Sequence, residues 1–225
     1  MNNINALLSY FSGNLTFVEG NACNQETLGK VFEQFEPEIV IHLAGFKVNN
    51  FLNANPIRLY KENIESAVAV LQTMLKYNTK KILFSSSASV YGENTVSKNT
   101  EEEICGPLTP YAKSKYYIEQ IIKDWNYSTP KSSAILLRYF NPIGCHSSIT
   151  IGDEPKLDNK NAIAIFSDCA LGKTKNVSVF GDNYNTPDGT CIRDYVHIED
   201  VAKGHLKAIE FLQHNVGLEI INLGT

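Results

Sequence analysis

The chain has 225 residues, enough for one large domain or one domain with an appendage, and its hydrophobic (43%) and charged (20%) fractions are ordinary for a globular protein. A net charge of -4 without any long basic run excludes an electrostatic case for nucleic acid or an anionic membrane surface. The five cysteines (Cys23, Cys105, Cys145, Cys169, Cys191) are odd in number, widely spaced and without a C-x-x-C, so neither a disulfide framework nor a metal site is expected. Met1-Asn2-Asn3-Ile4-Asn5 has neither the basic nor the apolar region of a signal peptide, and no stretch nears the ~18 apolar residues of a membrane span. The cytoplasm is the expected compartment.

In chain order, a helix over about residues 25–35 is closed by Pro37. Residues 38–45 read as a buried strand ending in a glycine turn. A long helix over about 56–77 has Pro56 in its first turn, where the missing N–H costs nothing. Residues 81–86 are the next strand, and a loop with Gly92, Gly106, Pro107 and Pro110 follows. A helix over about 111–125 leads to a strand at 134–138. Residues 142–195 are rich in Gly, Pro, Asn and Asp, with one helix near 162–171 and a short apolar piece at 177–181. Residues 200–213 return to helix and 219–224 to strand.

The strands are nearly continuous in apolar residues, as a parallel sheet covered on both faces requires. Strand alternating with helix predicts an α/β fold, a doubly wound parallel sheet of Rossmann-like type, incomplete at the N-terminus and with a small mixed cap. Residues 1–141 would form the partial dinucleotide domain, 142–195 the substrate cap, and 196–225 the return to the first domain. Ligands of such sheets sit beyond the C-terminal strand ends. The polar ends at 45–47, 85–89 and 139–141 all fall on that edge.

One pair there can do proton chemistry. Tyr111 and Lys115 are four apart, so they share one helical face, and an ammonium beside the phenol favours the phenolate. Ser87, at the neighbouring strand end, supplies a hydroxyl for the reacting oxygen. The Y-x-x-x-K spacing occurs three times, but Tyr77/Lys81 and Tyr127/Lys131 straddle element boundaries. Only Tyr111/Lys115 opens a helix. For His42 and His197, core or strand-end packing is the expected role.

The strings Phe84-Ser-Ser-Ser-Ala-Ser-Val-Tyr-Gly92, Pro110-Tyr-Ala-Lys-Ser-Lys115 and Leu137-Arg-Tyr-Phe-Asn-Pro-Ile-Gly144 resemble the extended short-chain dehydrogenase/reductases. The string from Phe180 to His197, with Asp200-Val-Ala-Lys-Gly-His205, is similar to the UDP-glucose (UDP-galactose) 4-epimerases. The resemblance implies isomerase chemistry in galactose metabolism. UDP-glucose and UDP-galactose would interconvert through a 4-keto sugar with bound NAD, and Tyr111, Lys115 and Ser87 would be catalytic. It carries NAD contacts onto Asn21, Ala22, Leu43, Ala44, Gly45, Phe46, Lys47, Asn63 and Phe140, besides Ser87, Tyr111 and Lys115. It carries UDP-hexose contacts onto Asn141, Asn161, Ser178, Phe180 and Arg193, besides Ser87 and Tyr111. A planar guanidinium at Arg193 suits a diphosphate; a salt bridge with Asp194 or Asp200 is the structural alternative. A homodimer through two long helices is also implied.

The chain departs from the family pattern in places. None of its fourteen glycines forms the opening G-x-x-G-x-x-G turn, so the chain is expected to be truncated at both ends. Asn21 stands for an Asp, Glu62-Asn63 for a paired Asn, and Val48-Asn49-Asn50-Phe51 for small residues. Two alternatives follow: a degenerate, non-catalytic fragment with residual nucleotide-sugar binding or an interaction role, or an epimerase or dehydratase for another nucleotide sugar.

Overall fold

The computed structural model describes residues 2–11, 13, 15–47, 55–93, 98–148, 162–179 and 181–225. Helices α1 (Asn2–Tyr10) and α2 (Gln25–Phe35) precede strand β1 (Ile39–His42). Next come α3 (Pro56–Lys76), β2 (Lys81–Ser87), a 3-10 turn (Ala88–Tyr91), α4 (Pro110–Ser128) and β3 (Ser133–Tyr139). The order continues with β4 (Asn141–Ile143), α5 (Ala162–Ala170), β5 (Tyr195–His197), α6 (Ile198–His214) and β6 (Gly217–Leu223).

Side chains in the sequence set the helix starts. The carboxamide of Asn24 accepts from Thr27 N–H at 3.0 Å to cap α2, and Asn55 does the same for α3 through Arg58 N–H. Thr109 caps α4 through Ala112 N–H, with Pro110 at the first helical position. His197 caps α6, and Glu199 and Asp200 in its first turn suit the positive end of the helix dipole. At the far end of α2, Glu36 turns left-handed and donates its N–H to Phe32 O at 2.9 Å, and Pro37 prevents continuation.

The main sheet has the order β1-β2-β3-β6 and every pairing is parallel. Central β2 and β3 are buried on both faces, which explains their unbroken apolar runs. Ile82, Phe84, Ala134 and Leu136 meet α2, α3 and α4 on one face through Phe32, Val70, Met74, Ile118 and Trp125. Leu83, Ile135 and Leu137 meet α6 on the other through Ala208 and Leu212. Helices on both faces of a parallel sheet make the doubly wound α/β fold expected above.

Two features differ from the sequence reading. The strand expected over 38–45 stops at His42, where its ladder to Phe84 ends. Beyond it, Asn63 takes both backbone groups of Phe46, the N–H at 2.7 Å and the carbonyl at 3.1 Å, so that segment bonds to α3 instead of a strand. The second difference is a small parallel sheet, β4 with β5, in which Asn141 pairs Tyr195. Its two three-residue strands straddle the boundaries expected at 141/142 and 195/196.

Gly92 closes the 3-10 turn at φ 77°, ψ -149°, a region open mainly to glycine, and a Cβ there would overlap the carbonyl oxygen of Gly106. Gly92→Ala should therefore lower unfolding free energy by about 2 kcal/mol or more in urea titration.

Candidate active site

Because the main sheet is parallel, its C-terminal strand ends share one edge, and the loops after β1, β2 and β3 converge there. Ser87 ends β2, and the first turn of α4 delivers Tyr111 beside it. The Ser87 hydroxyl acts to lower the pKa of the Tyr111 phenol; burial pushes it up more strongly, so the net direction is upward. The Ser87 oxygen also accepts from Ser89 N–H at 3.2 Å and Ser89 O–H at 2.9 Å.

Lys115 lies one turn deeper and is buried. Its Nζ donates to Ser85 O at 2.7 Å and stands 4.9 Å from the Phe84 ring centroid and 5.9 Å from that of Tyr111. Burial lowers its pKa to about 8, so the ammonium persists at neutral pH but by a narrow margin. Desolvation dominates at both groups, so the phenol pKa moves opposite to the direction expected from a neighbouring ammonium.

The segment after β1 crosses above this pair. A Cβ at Gly45 would meet Asn63 Oδ1 at 3.2 Å and Lys115 Nζ at 3.9 Å, so bare backbone reaches the buried amine. Leu43, Ala44, Phe46 and Lys47 are exposed on this segment. Asn63 itself is buried, with its amide given to Phe46 and to Ser114 Oγ at 3.1 Å. It anchors the segment from below and has no face at the surface.

The remaining expected residues lie further out. Asn21 and Ala22 line a hollow of about 500 Å³ with Val18, Leu28 and Phe35. Phe140 follows β3 and donates its N–H to Leu223 O at 3.1 Å. Asn141 Nδ2 donates to Asp194 O at 2.8 Å. Ser178 and Arg193 are exposed, and Arg193 Nη1 donates to Ile192 O at 2.8 Å. Asp194 instead holds Thr225, and Asp200 pairs with Lys203, so neither forms the salt bridge considered for Arg193. Asn161, Phe180 and the 48–51 departure lie outside the described residues.

Sequence reasoning missed several polar residues beneath the edge. Tyr139 Oη lies 2.6 Å from His205 Nε2, and His205 Nδ1 lies 2.8 Å from Val201 O. A carbonyl only accepts, so Nδ1 carries the proton and Nε2 accepts from Tyr139. Burial pushes the Tyr139 phenol up to about 12. Arg138 and Glu119 form a buried two-point ion pair, at 3.0 Å for Nε–Oε1 and 2.7 Å for Nη2–Oε2. An arginine inside an apolar strand was the available signal for that pair.

A Ser–Tyr–Lys group, half-buried at Ser87 and Tyr111 and buried at Lys115, where a strand of a parallel sheet hands over to a helix defines the class, a Rossmann-like protein of short-chain dehydrogenase/reductase type. The chain belongs to the NAD dependent epimerase/dehydratase family, whose model matches residues 2–224. It is 41% identical over 210 residues to UDP-glucose 4-epimerase of Haemophilus influenzae, covering 93% of this chain and 62% of that protein. Identity to the Bacillus subtilis UDP-glucose 4-epimerase is also 41%, with 94% and 62% covered. The fold superposes on the crystal structure of Bifidobacterium longum UDP-glucose 4-epimerase in complex with NAD+ and UDP with a TM-score of 0.92, at 38% identity, covering 99% of this chain and 67% of that one. For the Stenotrophomonas maltophila enzyme with bound NAD and formylated UDP-arabinopyranose the TM-score is 0.93, at 31% identity, with 99% and 66% covered. The chain thus spans about 62% of the length of the curated relatives it matches.

Among the described residues, no helix is long and apolar enough to cross a membrane. No cluster of His, Cys, Asp or Glu there could hold a metal ion.

His42 stacks on Phe84 at 5.7 Å, and its Nε2 has no hydrogen-bond partner among the described residues. Burial first, then the Lys115 charge, lowers its pKa from 6.5 to about 4. A base whose folded pKa is depressed contributes full stability above its unfolded pKa, and that contribution falls as pH drops toward the folded value. Wild type should therefore lose stability relative to His42→Leu by up to about 1.4 kcal/mol per pH unit in this acid range. Urea unfolding of both proteins between pH 7 and pH 4 measures the difference.

Proposed function

We propose that this chain forms the proton-transfer face of an NAD-dependent UDP-hexose 4-epimerase, interconverting UDP-glucose and UDP-galactose through a 4-keto sugar. The observation that carries the reading is the group at the β2 strand end in which the half-buried Tyr111 phenol lies by the Ser87 hydroxyl and buried Lys115, one helical turn below, donates to Ser85 O.

The residues suit a nicotinamide dinucleotide. Gly45 leaves bare backbone against the Lys115 amine, and the adjoining Leu43–Lys47 segment is pinned by Asn63. Lys115 would hold the nicotinamide ribose, while Leu43, Ala44, Phe46, Lys47 and Phe140 would line the dinucleotide; Asn21 and Ala22 would meet its adenine end. When bound, NAD+ would supply a hydride acceptor and a positive charge.

The chain's own residues would handle the proton. As the phenolate, Tyr111 Oη would take the proton from the sugar C4 hydroxyl while the C4 hydride leaves for the bound nicotinamide, and would return it as hydride comes back to the other face of the keto-sugar. Ser87 hydrogen-bonds the reacting oxygen and limits the cost of a buried phenolate. Asn141, Ser178 and Arg193, together with Asn161 and Phe180, would hold the UDP portion; Arg193 is exposed, as a diphosphate partner must be before binding. The homodimer reading pairs the chain through α3 and α4. All five cysteines are unpaired, which supports a cytoplasmic setting.

A non-catalytic nucleotide-sugar binder is the competing reading. Glu62 favours it, because the family pattern has Asn there and the Glu62 carboxylate instead accepts from the Cys23 thiol at 3.9 Å. Tyr111→Phe should lower kcat for UDP-galactose conversion by about 10²–10⁴-fold, with UDP-sugar affinity retained in direct titration. Turnover near wild type would remove Tyr111 from the mechanism. Sugar binding by wild type without any turnover would favour the binder.

A further inference from the structure

Three successive turns of α4 meet three successive residues of β2. Tyr111 lies by the Ser87 hydroxyl, Lys115 donates to the Ser85 carbonyl at 2.7 Å, and Glu119 accepts from the Ser86 hydroxyl. Tyr111, Lys115 and Glu119 are spaced by four, so they form one stripe along the helix. The proposed reaction uses the first two and leaves Glu119, a fully buried carboxylate, without a role.

Glu119 is fixed from below. Both its oxygens take the Arg138 guanidinium, and the third Arg138 nitrogen, Nη1, donates to Tyr91 Oη at 2.9 Å. Tyr91 ends the 3-10 turn that starts right after Ser87, and its own hydroxyl donates to Asn222 Oδ1 on β6 at 2.7 Å. The carboxylate therefore restrains both sides of Ser87: Ser86 before it directly, and Tyr91 after it through Arg138.

The strand end needs such a restraint. The β1 ladder stops at His42 opposite Phe84, so Ser85, Ser86 and Ser87 pair by backbone with β3 alone. Half of the usual sheet support is missing where the hydroxyl must be held. A carboxylate locked by two charge-assisted bonds is a stiff replacement.

The geometry points to Glu119 as a positioning residue, which acts through Ser86 and through the Arg138–Tyr91 link to hold the Ser87 hydroxyl at Tyr111 Oη. This inference rests on the proposed role of Tyr111 as proton acceptor.

The test replaces both charges at once. Glu119→Leu combined with Arg138→Met leaves no unpaired buried ion, and exchanges of this kind are often neutral in stability. The double variant should melt near wild type yet lose kcat on the order of 10²-fold, with KM little changed, because misplacement by about 1 Å costs that much. It should also raise the Tyr111 phenol titration, read by NMR of ring-labelled tyrosine with Tyr111→Phe assigning the signal. Lys115 on α4, Tyr139 on β3 and His42 on β1 are the titratable neighbours and stay in place. Ser87→Ala should raise the same titration. A folded double variant with wild-type kcat and wild-type Tyr111 titration overturns the inference.

If the double variant does not fold, Ser86→Ala decides, since it cuts the link to the strand and leaves the ion pair intact. A raised Tyr111 titration there supports the positioning role, and an unchanged one overturns it. The titration needs neither substrate nor cofactor. It therefore judges Glu119 even where Tyr111→Phe keeps turnover and the epimerase reading itself falls.

Discussion

The buried Arg138–Glu119 ion pair is the constraint on which the rest of the site depends. It joins β3 to α4, and through Tyr91 and Asn222 it reaches the turn after β2 and the edge strand β6. Burying two charges costs several kcal/mol per ion, and only near-ideal geometry with every lone donor used offsets that. Here Nε and Nη2 take the carboxylate and Nη1 takes Tyr91 Oη. Burial opposes the Arg138 charge, but the bonds and charge of Glu119 win and hold its pKa above the ordinary value. Neither partner can be removed alone without leaving an uncompensated charge in the core.

On top of that anchor sits a group governed by desolvation. Tyr111, Lys115 and His42 are each pushed toward their neutral forms by burial, and His42 also feels the Lys115 charge. Without a further positive charge beside it the phenol is therefore protonated at neutral pH, and neutral pH lies only narrowly below the Lys115 pKa of about 8. Spacing on a helix brings Tyr111 and Lys115 together, but the low dielectric around them sets which charge states are affordable. This differs from the simpler expectation that a neighbouring ammonium alone makes the phenol a base.

Much of the fold was legible because its signals are local. Asn24 and Pro37 bracket α2, Asn55 and Pro56 start α3, and Thr109 and Pro110 start α4, each through bonds spanning three or four residues. The apolar runs of β2 and β3 reflect burial on both faces, so a parallel sheet could be read from them. The end of β1 was not legible, because Asn63 lies 21 residues beyond His42 and competes for the Phe46 backbone only in the folded chain. Nor were β4 and β5, whose three-residue strands contain Pro142 and carry no periodicity.

The sequence by itself determined the order of the main-sheet strands and the helices packed on them, the starts of α2, α3 and α4, and the placing of Tyr111 and Lys115 on one helical face, since capping and four-residue spacing act within a few residues. Only the tertiary structure decided which residues that face meets. The register of α4 against β2 sets Tyr111 on Ser87, Lys115 on Ser85 and Glu119 on Ser86, across sequence separations of 24 to 33 residues. That register depends on packing and on a buried charge finding its one partner, and no local pattern encodes either.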